Sequence, residues 1–338
     1  MPELRRDPVT QGWVVIATER GKRPHDFAKQ PRSKETNGNK CPFCEGNEAL
    51  TPPEVMAYRP AGTPPNTPGW TVRVVPNLYP AFGPPTGDLN ERRQGMYVMM
   101  NGLGAHEVLI TSPRHGDDVP TLPTPQVALM AQSYIDRYLA QKANPIVQYV
   151  HIIMNYGKEA GASREHPHSQ LFALPLVPDL VEKELRGAGA YKAEHGHCIF
   201  CDMVRQELAS GERIVLENER FVVFTPYASK VPFEMWVVPK AHQPRFEGMD
   251  QKDVQFFADA LKRALGKLHV GINDPPFNYW IHTSPTQRDV GDIYHWHLEI
   301  APKLAIAAGF ELGSGIMINT ALPEAAAEFL RLTQAPEG

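Results

Sequence analysis

Long apolar runs, a charge excess and an abundance of cysteine are all missing from this chain, and each absence narrows what it can be. No stretch of about 18 consecutive apolar residues occurs, so a membrane-spanning helix is not expected. Met1–Arg6 does not open an apolar run of the signal-peptide kind, and we expect a soluble, cytoplasmic protein. With a formal net charge of −4 and a pI near 6.4 there is no basic field for nucleic acid or an anionic membrane, and neither is expected as a partner. Only four cysteines occur in 338 residues, too few for a disulfide framework.

Those four fall in two pairs, Cys41-Pro42-Phe43-Cys44 and Cys198-Ile199-Phe200-Cys201. In a cytoplasmic chain that spacing reads as metal binding or redox chemistry. Proline, by contrast, is plentiful at 33, which predicts many loops and strand ends rather than long helices.

The stretch with the most chemistry is Glu165-His166-Pro167-His168-Ser169-Gln170-Leu171-Phe172. If it is extended, side chains alternate, so His166, His168 and Gln170 share one face while Ser169 and Leu171 share the other. One histidine on a strand is ordinarily a packing residue. Here the pattern returns as Tyr294-His295-Trp296-His297-Leu298-Glu299, and two copies invite a search for a repeat.

The repeat is there. In each half a Cys-x-x-Cys pair precedes a strand ending near a histidine (Glu107–Thr111 with His115, Glu234–Val238 with His242). A helix follows, from Thr124 as N-cap with Pro125 at N1 to about Lys142, and from an Asp250 cap to about His269. A strand (146–155, then 277–282) leads to the His-x-His row. His115 to His166 is 51 positions and His242 to His295 is 53. The chain thus reads as an α+β protein of two fused units, 1–178 and 195–338, sharing one extended, largely antiparallel sheet with flanking helices.

Each unit offers two thiolates and two imidazoles: Cys41, Cys44, His115 and His166 in the first, Cys198, Cys201, His242 and His295 in the second. Such a set favours tetrahedral zinc with no open position, hence a structural site, with iron possible at the second. His297 could replace His295 there, and Glu299 lies on the same face. With His166 given to metal, His168 is left on a rigid strand as a neutral imidazole for attack at phosphorus or an acyl centre. Gln170 can only donate or accept hydrogen bonds, which suits transfer through a covalent intermediate better than hydrolysis.

With this motif stand Trp13, Arg20-Gly21-Lys22-Arg23-Pro24, Cys41-Pro42-Phe43-Cys44-Glu45-Gly46-Asn47-Glu48, Val75-Pro76-Asn77, Ser112-Pro113-Arg114-His115, Asn155-Tyr156-Gly157, Gly161-Ala162-Ser163 and Gly309-Phe310-Glu311. Over nearly its whole length the chain resembles the galactose-1-phosphate uridylyltransferase family of the histidine-triad superfamily, whose motif is His-Pro-His-x-Gln. It is also similar to plant-type ADP-glucose phosphorylases. The resemblance implies that His168 attacks the α-phosphorus of a nucleotide sugar and expels a sugar 1-phosphate. The nucleotidyl-histidine, stabilised by Gln170, then passes its nucleotide to a second sugar 1-phosphate in ping-pong fashion. It further implies that Ser163 and Gly161 meet the phosphates, Asn77 and Asn155 the nucleotide, and Phe310 the substrate, with Arg20 and Arg23 reaching a nucleotide sugar across a homodimer interface.

The implied reaction is UMP transfer from UDP-glucose to galactose 1-phosphate. Ser169, where well-known uridylyltransferases carry Gly or Cys, and the second Cys-x-x-Cys point instead to an ADP-glucose phosphorylase using the same histidine. The segment 308–315 lacks the Lys and Tyr that best-known members place near the sugar phosphate. A zinc-stabilised nucleotide-binding protein without catalysis is the reading from another class.

Overall fold

Runs such as Phe221-Val222-Val223-Phe224 and Met235-Trp236-Val237-Val238 are apolar on both sides, and strands of that kind persist only where both faces of a sheet are covered. The computed structural model describes residues 1–18, 27 and 41–336. Its strands and helices, in order, are β1 (Glu3–Arg6), β2 (Trp13–Ile16), β3 (Met56–Tyr58), β4 (Val72–Pro76), β5 (Arg92–Gln94), β6 (Tyr97–Met99), β7 (Ala105–Ile110), α1 (Thr124–Lys142), β8 (Tyr149–Tyr156) and β9 (His168–Leu174). There follow α2 (Asp179–His195), α3 (Ile199–Ser210), β10 (Ile214–Glu217), β11 (Phe221–Phe224), β12 (Met235–Pro239), α4 (Gln251–Gly271), β13 (Phe277–His282), β14 (His297–Pro302), α5 (Gly309–Ser314), β15 (Met317–Asn319) and α6 (Pro323–Leu332).

Ten strands form one sheet in the order β10-β11-β12-β14-β13-β8-β9-β7-β4-β3. Every neighbouring pair in it is antiparallel. The order reads the same from either end once β13, β14, β12, β11 and β10 are matched with β8, β9, β7, β4 and β3, so the repeat seen in the sequence is a mirror of strand positions about the β8–β13 seam. That seam is a regular ladder from Phe277 opposite Tyr156 to Ile281 opposite Ile152.

The two faces of the sheet are treated differently. Leu171, Val150, Tyr279 and Leu298 point to the face that α1 and α4 cover with Tyr134, Tyr138, Phe257 and Leu261. On the opposite face, α2 and α3 cover only the second half, where Leu185, Phe200, Trp236 and Tyr294 pack together. Among the described residues no helix covers the first half of that face, which carries His168 and Gln170. One sheet thereby offers one histidine row under helices and one that faces a cavity.

Several local expectations are revised. The N-cap of α1 is Pro123 and not Thr124, which is already helical and is followed by Pro125 in the first turn. The Asp250 cap holds: its carboxylate accepts from the Asp253 N–H, with the return bond completing a capping box. The strand expected from Ile146 begins at Tyr149, because Val147 N–H closes a turn on the Asn144 carbonyl. The link between the units is itself helical, α2, which docks directly on the N-terminal turn stapled by Asp7. A Cβ added at Gly187 of α2 would lie 1.8 Å from the Val9 carbonyl oxygen. Gly187→Ala is therefore expected to cost roughly 1–3 kcal/mol from overpacking, in place of the gain of up to about 1 kcal/mol the same change gives in an open helix. A thermal melt of the variant checks the sign.

Candidate active site

Two hydrogen-bonded loops bring the first cysteine pair to its histidines. The Asn47 side chain donates to the Cys41 carbonyl, and Glu45 N–H donates to the Pro113 carbonyl, so the Cys-x-x-Cys turn is laced to the loop carrying His115. Cys41, Cys44, His115 and His166 converge within 4.8 Å of one another. Sulfur to Nδ1 separations are 3.5 Å for Cys44–His115, 3.5 Å for Cys44–His166 and 3.7 Å for Cys41–His166. Ligands on a tetrahedron with zinc's bond lengths stand about 3.5 Å apart, so the donors fit a metal of that kind. His166 Nε2–H donates to the Ser112 carbonyl at 2.8 Å, which leaves the Nδ1 lone pair facing the sulfurs. Burial, then the charge of Cys41, pushes the Cys44 thiol up to about 12.

The second set, Cys198, Cys201, His242 and His295, is built the same way on the first turn of α3. Cys201 Sγ is 3.2 Å from His242 Nδ1 and 3.6 Å from His295 Nδ1, and His242 Nε2–H donates to the Gly291 carbonyl. His295, and not His297, joins the cysteines. His297 turns toward Glu299 in a third cluster that sequence reasoning missed: Glu184, His282, His297 and Glu299, all buried. His282 Nδ1 lies 2.9 Å from Glu184 and 3.3 Å from Glu299, and Lys230 Nζ is 3.7 Å from Glu299. Burial would lower His282, but the facing carboxylates carry it up to about 10, so the two acids are matched by two cations. Only the Glu299 alternation hinted at this; Glu184 comes from α2 and His282 from β13.

On the half of the face that α2 and α3 leave uncovered lies a cavity of about 350 Å³, within the usual span for small-ligand sites. His168 and Gln170 form its floor, Phe43 and Leu50 one wall, and Asn77, Ser163 and Arg164 its polar rim. β9 begins at His168, so His166 sits two residues before the strand and β14 repeats this with His295 and His297. His168 Nδ1–H donates to the His166 carbonyl at 2.9 Å, directing the Nε2 lone pair away from that bond. Burial, with the Arg164 charge, holds this imidazole below its ordinary pKa despite that bond, hence neutral at pH 7. Phe43 braces its ring edge-on at 5.1 Å. On the other side of β9, Ser169 hydrogen-bonds Tyr134 of α1 and, at 3.3 Å, Tyr279 of β13, so the alternation expected of this strand is realised.

Of the residues proposed to meet substrate, Asn77, Ser163, His168 and Gln170 share the cavity. Asn155 lies outside its lining on β8, accepting from Asn278, and Gly161 sits beside it with φ +86°, a conformation open to glycine. Phe310 is half exposed on α5. Arg20 and Arg23 fall outside the described residues. Two residues at the site went unread in the sequence: Arg164, which lines the cavity, and His106, which stands outside the lining with its Nε2 2.9 Å from Gln170 Oε1. A histidine on the otherwise apolar face of His106, Val108 and Ile110 is the available signal, but a strand predicted from Glu107 leaves it out, whereas the strand starts at Ala105.

A strand carrying His168 and Gln170 beside clustered thiolates and imidazoles, with the cluster repeated in a second unit, is the arrangement of a nucleotidyltransferase. Residues 1–178 match the N-terminal domain of galactose-1-phosphate uridyl transferase and residues 184–334 its C-terminal domain; the chain belongs to that family. It is 36% identical to ADP-glucose phosphorylase of Arabidopsis thaliana over 98% of this chain and 92% of that one. It is 28% identical to galactose-1-phosphate uridylyltransferase of Thermotoga maritima over 99% of each. A crystal structure of the Arabidopsis ADP-glucose phosphorylase with bound ADP-glucose superposes with a TM-score of 0.82 at 33% identity, covering 98% of both chains. Among the described residues no helix is long and apolar enough to cross a membrane.

Proposed function

We propose that the protein moves a nucleotidyl group from a nucleoside-diphosphate glucose through a covalent His168 intermediate. The observation that carries this is the fixed tautomer of His168: its proton is held by the His166 carbonyl, leaving Nε2 as the nucleophile beside Gln170. Nε2 attacks the α-phosphorus, a P–N bond forms, and the bond to the β-phosphate oxygen breaks, so glucose 1-phosphate leaves with the bonding pair. A sugar phosphate is a weakly basic leaving group and needs no proton, which is why an amide suffices at position 170. As the imidazole becomes cationic its Nδ1–H bond to the His166 carbonyl becomes charge-assisted and strengthens in the transition state. An acceptor phosphate oxygen then attacks the same phosphorus and His168 departs neutral.

Adenine is the base this reading favours, with ADP-glucose as donor and phosphate as acceptor. Its supports are the Arabidopsis relative, the second Cys₂His₂ set and Ser169. The second reading, UMP transfer from UDP-glucose to galactose 1-phosphate, is supported by the family match and the Thermotoga relative. Zinc at the two Cys₂His₂ sets, or iron at the second, would neutralise the thiolates and cross-link their loops. Arg20 and Arg23 completing the site across a homodimer belong to the same proposal, as does a cytoplasmic location.

Intact-protein mass spectrometry after brief exposure to each sugar nucleotide separates the readings. An adenylyl adduct from ADP-glucose is expected; a uridylyl adduct alone moves the assignment to the second reading. No adduct from either, together with no turnover, leaves a nucleotide-binding protein.

A further inference from the structure

We propose that His106 is the positioning residue that sets the orientation of the Gln170 amide, so that its NH₂ group and not its oxygen faces the reacting phosphorus. The inference rests on the nucleotidyl-transfer reading for its consequence, but not for its geometry. A carboxamide is nearly symmetric in shape. With its NH₂ outward it stabilises charge growing on a phosphoryl oxygen; with its oxygen outward it repels that charge. A site that uses glutamine in this role needs something to choose between the two.

The choice is made by a backbone N–H. Ala81 N–H donates to His106 Nδ1 at 3.2 Å, and a peptide N–H cannot reverse its role, so Nδ1 keeps its lone pair. The proton of the neutral imidazole is then on Nε2, which donates to Gln170 Oε1 at 2.9 Å. With its oxygen engaged, Gln170 directs its NH₂ group away from His106. A cationic His106 would set Nδ1–H against the Ala81 N–H, and burial already lowers its pKa, the Gln170 bond being the smaller, opposing influence. The ring is held flat on Phe172, 4.1 Å between centroids, and Phe172 faces it across the β7–β9 ladder. Asn77 donates its backbone N–H to the His106 carbonyl, and its side-chain oxygen accepts from Tyr79 N–H. Its amide nitrogen stands 3.1 Å from His106 Nε2, but a protonated Nε2 has no lone pair for it, so that NH₂ group is left for a ligand in the cavity.

The test is a double-mutant cycle with a tautomer measurement. His106→Phe keeps the stack on Phe172 and removes the donor. It is expected to lower kcat about 10- to 100-fold with KM within a few-fold, and His106→Gln, which returns a donor, to recover most of the loss. In a Gln170→Ala background His106→Phe is expected to cost less than about threefold, because nothing remains to orient. An equal loss in both backgrounds overturns the proposal and leaves His106 a packing residue. Independently, ¹⁵N–¹H correlation spectra of the resting enzyme should find the His106 proton on Nε2; a proton on Nδ1 also overturns it. If the wild type transfers no nucleotide from either sugar nucleotide the functional reading fails, and the spectra still decide whether the amide is locked.

Discussion

Replacing His168 with glycine is expected to lower kcat for nucleotidyl transfer at least about 10⁴-fold, while nucleotide-sugar affinity stays within about threefold. The reason is that His168 is asked to form a bond rather than to hold a ligand. Phe43, Leu50, Asn77 and Ser163 line the cavity without it, and on the proposed reading they would supply binding that is the same before and during reaction. The substitution also leaves the fold and the metal sets intact. His168 stands at the first position of β9, where glycine costs about 1 kcal/mol, and the His166 carbonyl that accepts its proton belongs to a residue held separately by Ser112. A Gln170→Ala variant should fall less, by about 10²-fold, since it removes a stabilising donor and not the nucleophile. The measurement is single-turnover transfer alongside nucleotide binding by calorimetry. Turnover unchanged in the glycine variant would sink the covalent mechanism, and loss of binding in step with turnover would make His168 a binding residue.

What could be read from the sequence was what lies close along the chain. The two histidine rows declare themselves by alternation, and the two Cys-x-x-Cys turns by spacing; the near-equal separations of 51 and 53 positions then imply one sheet made of two copies, as the palindromic strand order has it. What stayed hidden is made by pairing between distant elements. His106 matters only because β7 sets it opposite Phe172 and one diagonal from Gln170, and no local pattern states that register. Glu184 and His282 lie 98 residues apart and meet only because α2 folds over the β13–β14 ladder. That covering helix was itself passed over as a connection, since Gly187 and Gly189 weaken a helical signal. Gly187 is there because Val9 leaves no room for a side chain. The α1 start was misplaced by one residue for a related cause: Pro123, Thr124 and Pro125 are all compatible with a first turn, and sequence alone does not rank them.

Stripping metal is expected to destabilise both halves but to stop the chemistry through only one of them. Each Cys₂His₂ set ties a Cys-x-x-Cys turn, a strand end and the residue two before a His-bearing strand. A metal bound to such a set is a ligand of the folded state alone, and at 1,000-fold above its dissociation constant contributes about 4 kcal/mol. For a chain of this size its loss should lower Tm by roughly 5–10 °C. Cys41→Ser and Cys198→Ser should each show this loss and each release one equivalent of metal by elemental analysis. Their activities should diverge. In the first set His166 is both a ligand candidate and the owner of the carbonyl that fixes the His168 tautomer, 2.9 Å from its Nδ1. Freeing His166 lets that carbonyl move, so kcat in Cys41→Ser should drop by about 10² or more. In the second set the matching bond, His297 Nδ1–H to the His295 carbonyl at 3.2 Å, holds a fully buried ring under Trp236 at 4.5 Å and Phe200 at 5.2 Å. Cys198→Ser should therefore keep kcat within a few-fold below its own, lower melting temperature. Metal-free protein that is fully active as purified would refute the structural role of both sets, and equal loss of kcat in the two variants would refute the division of labour between the halves.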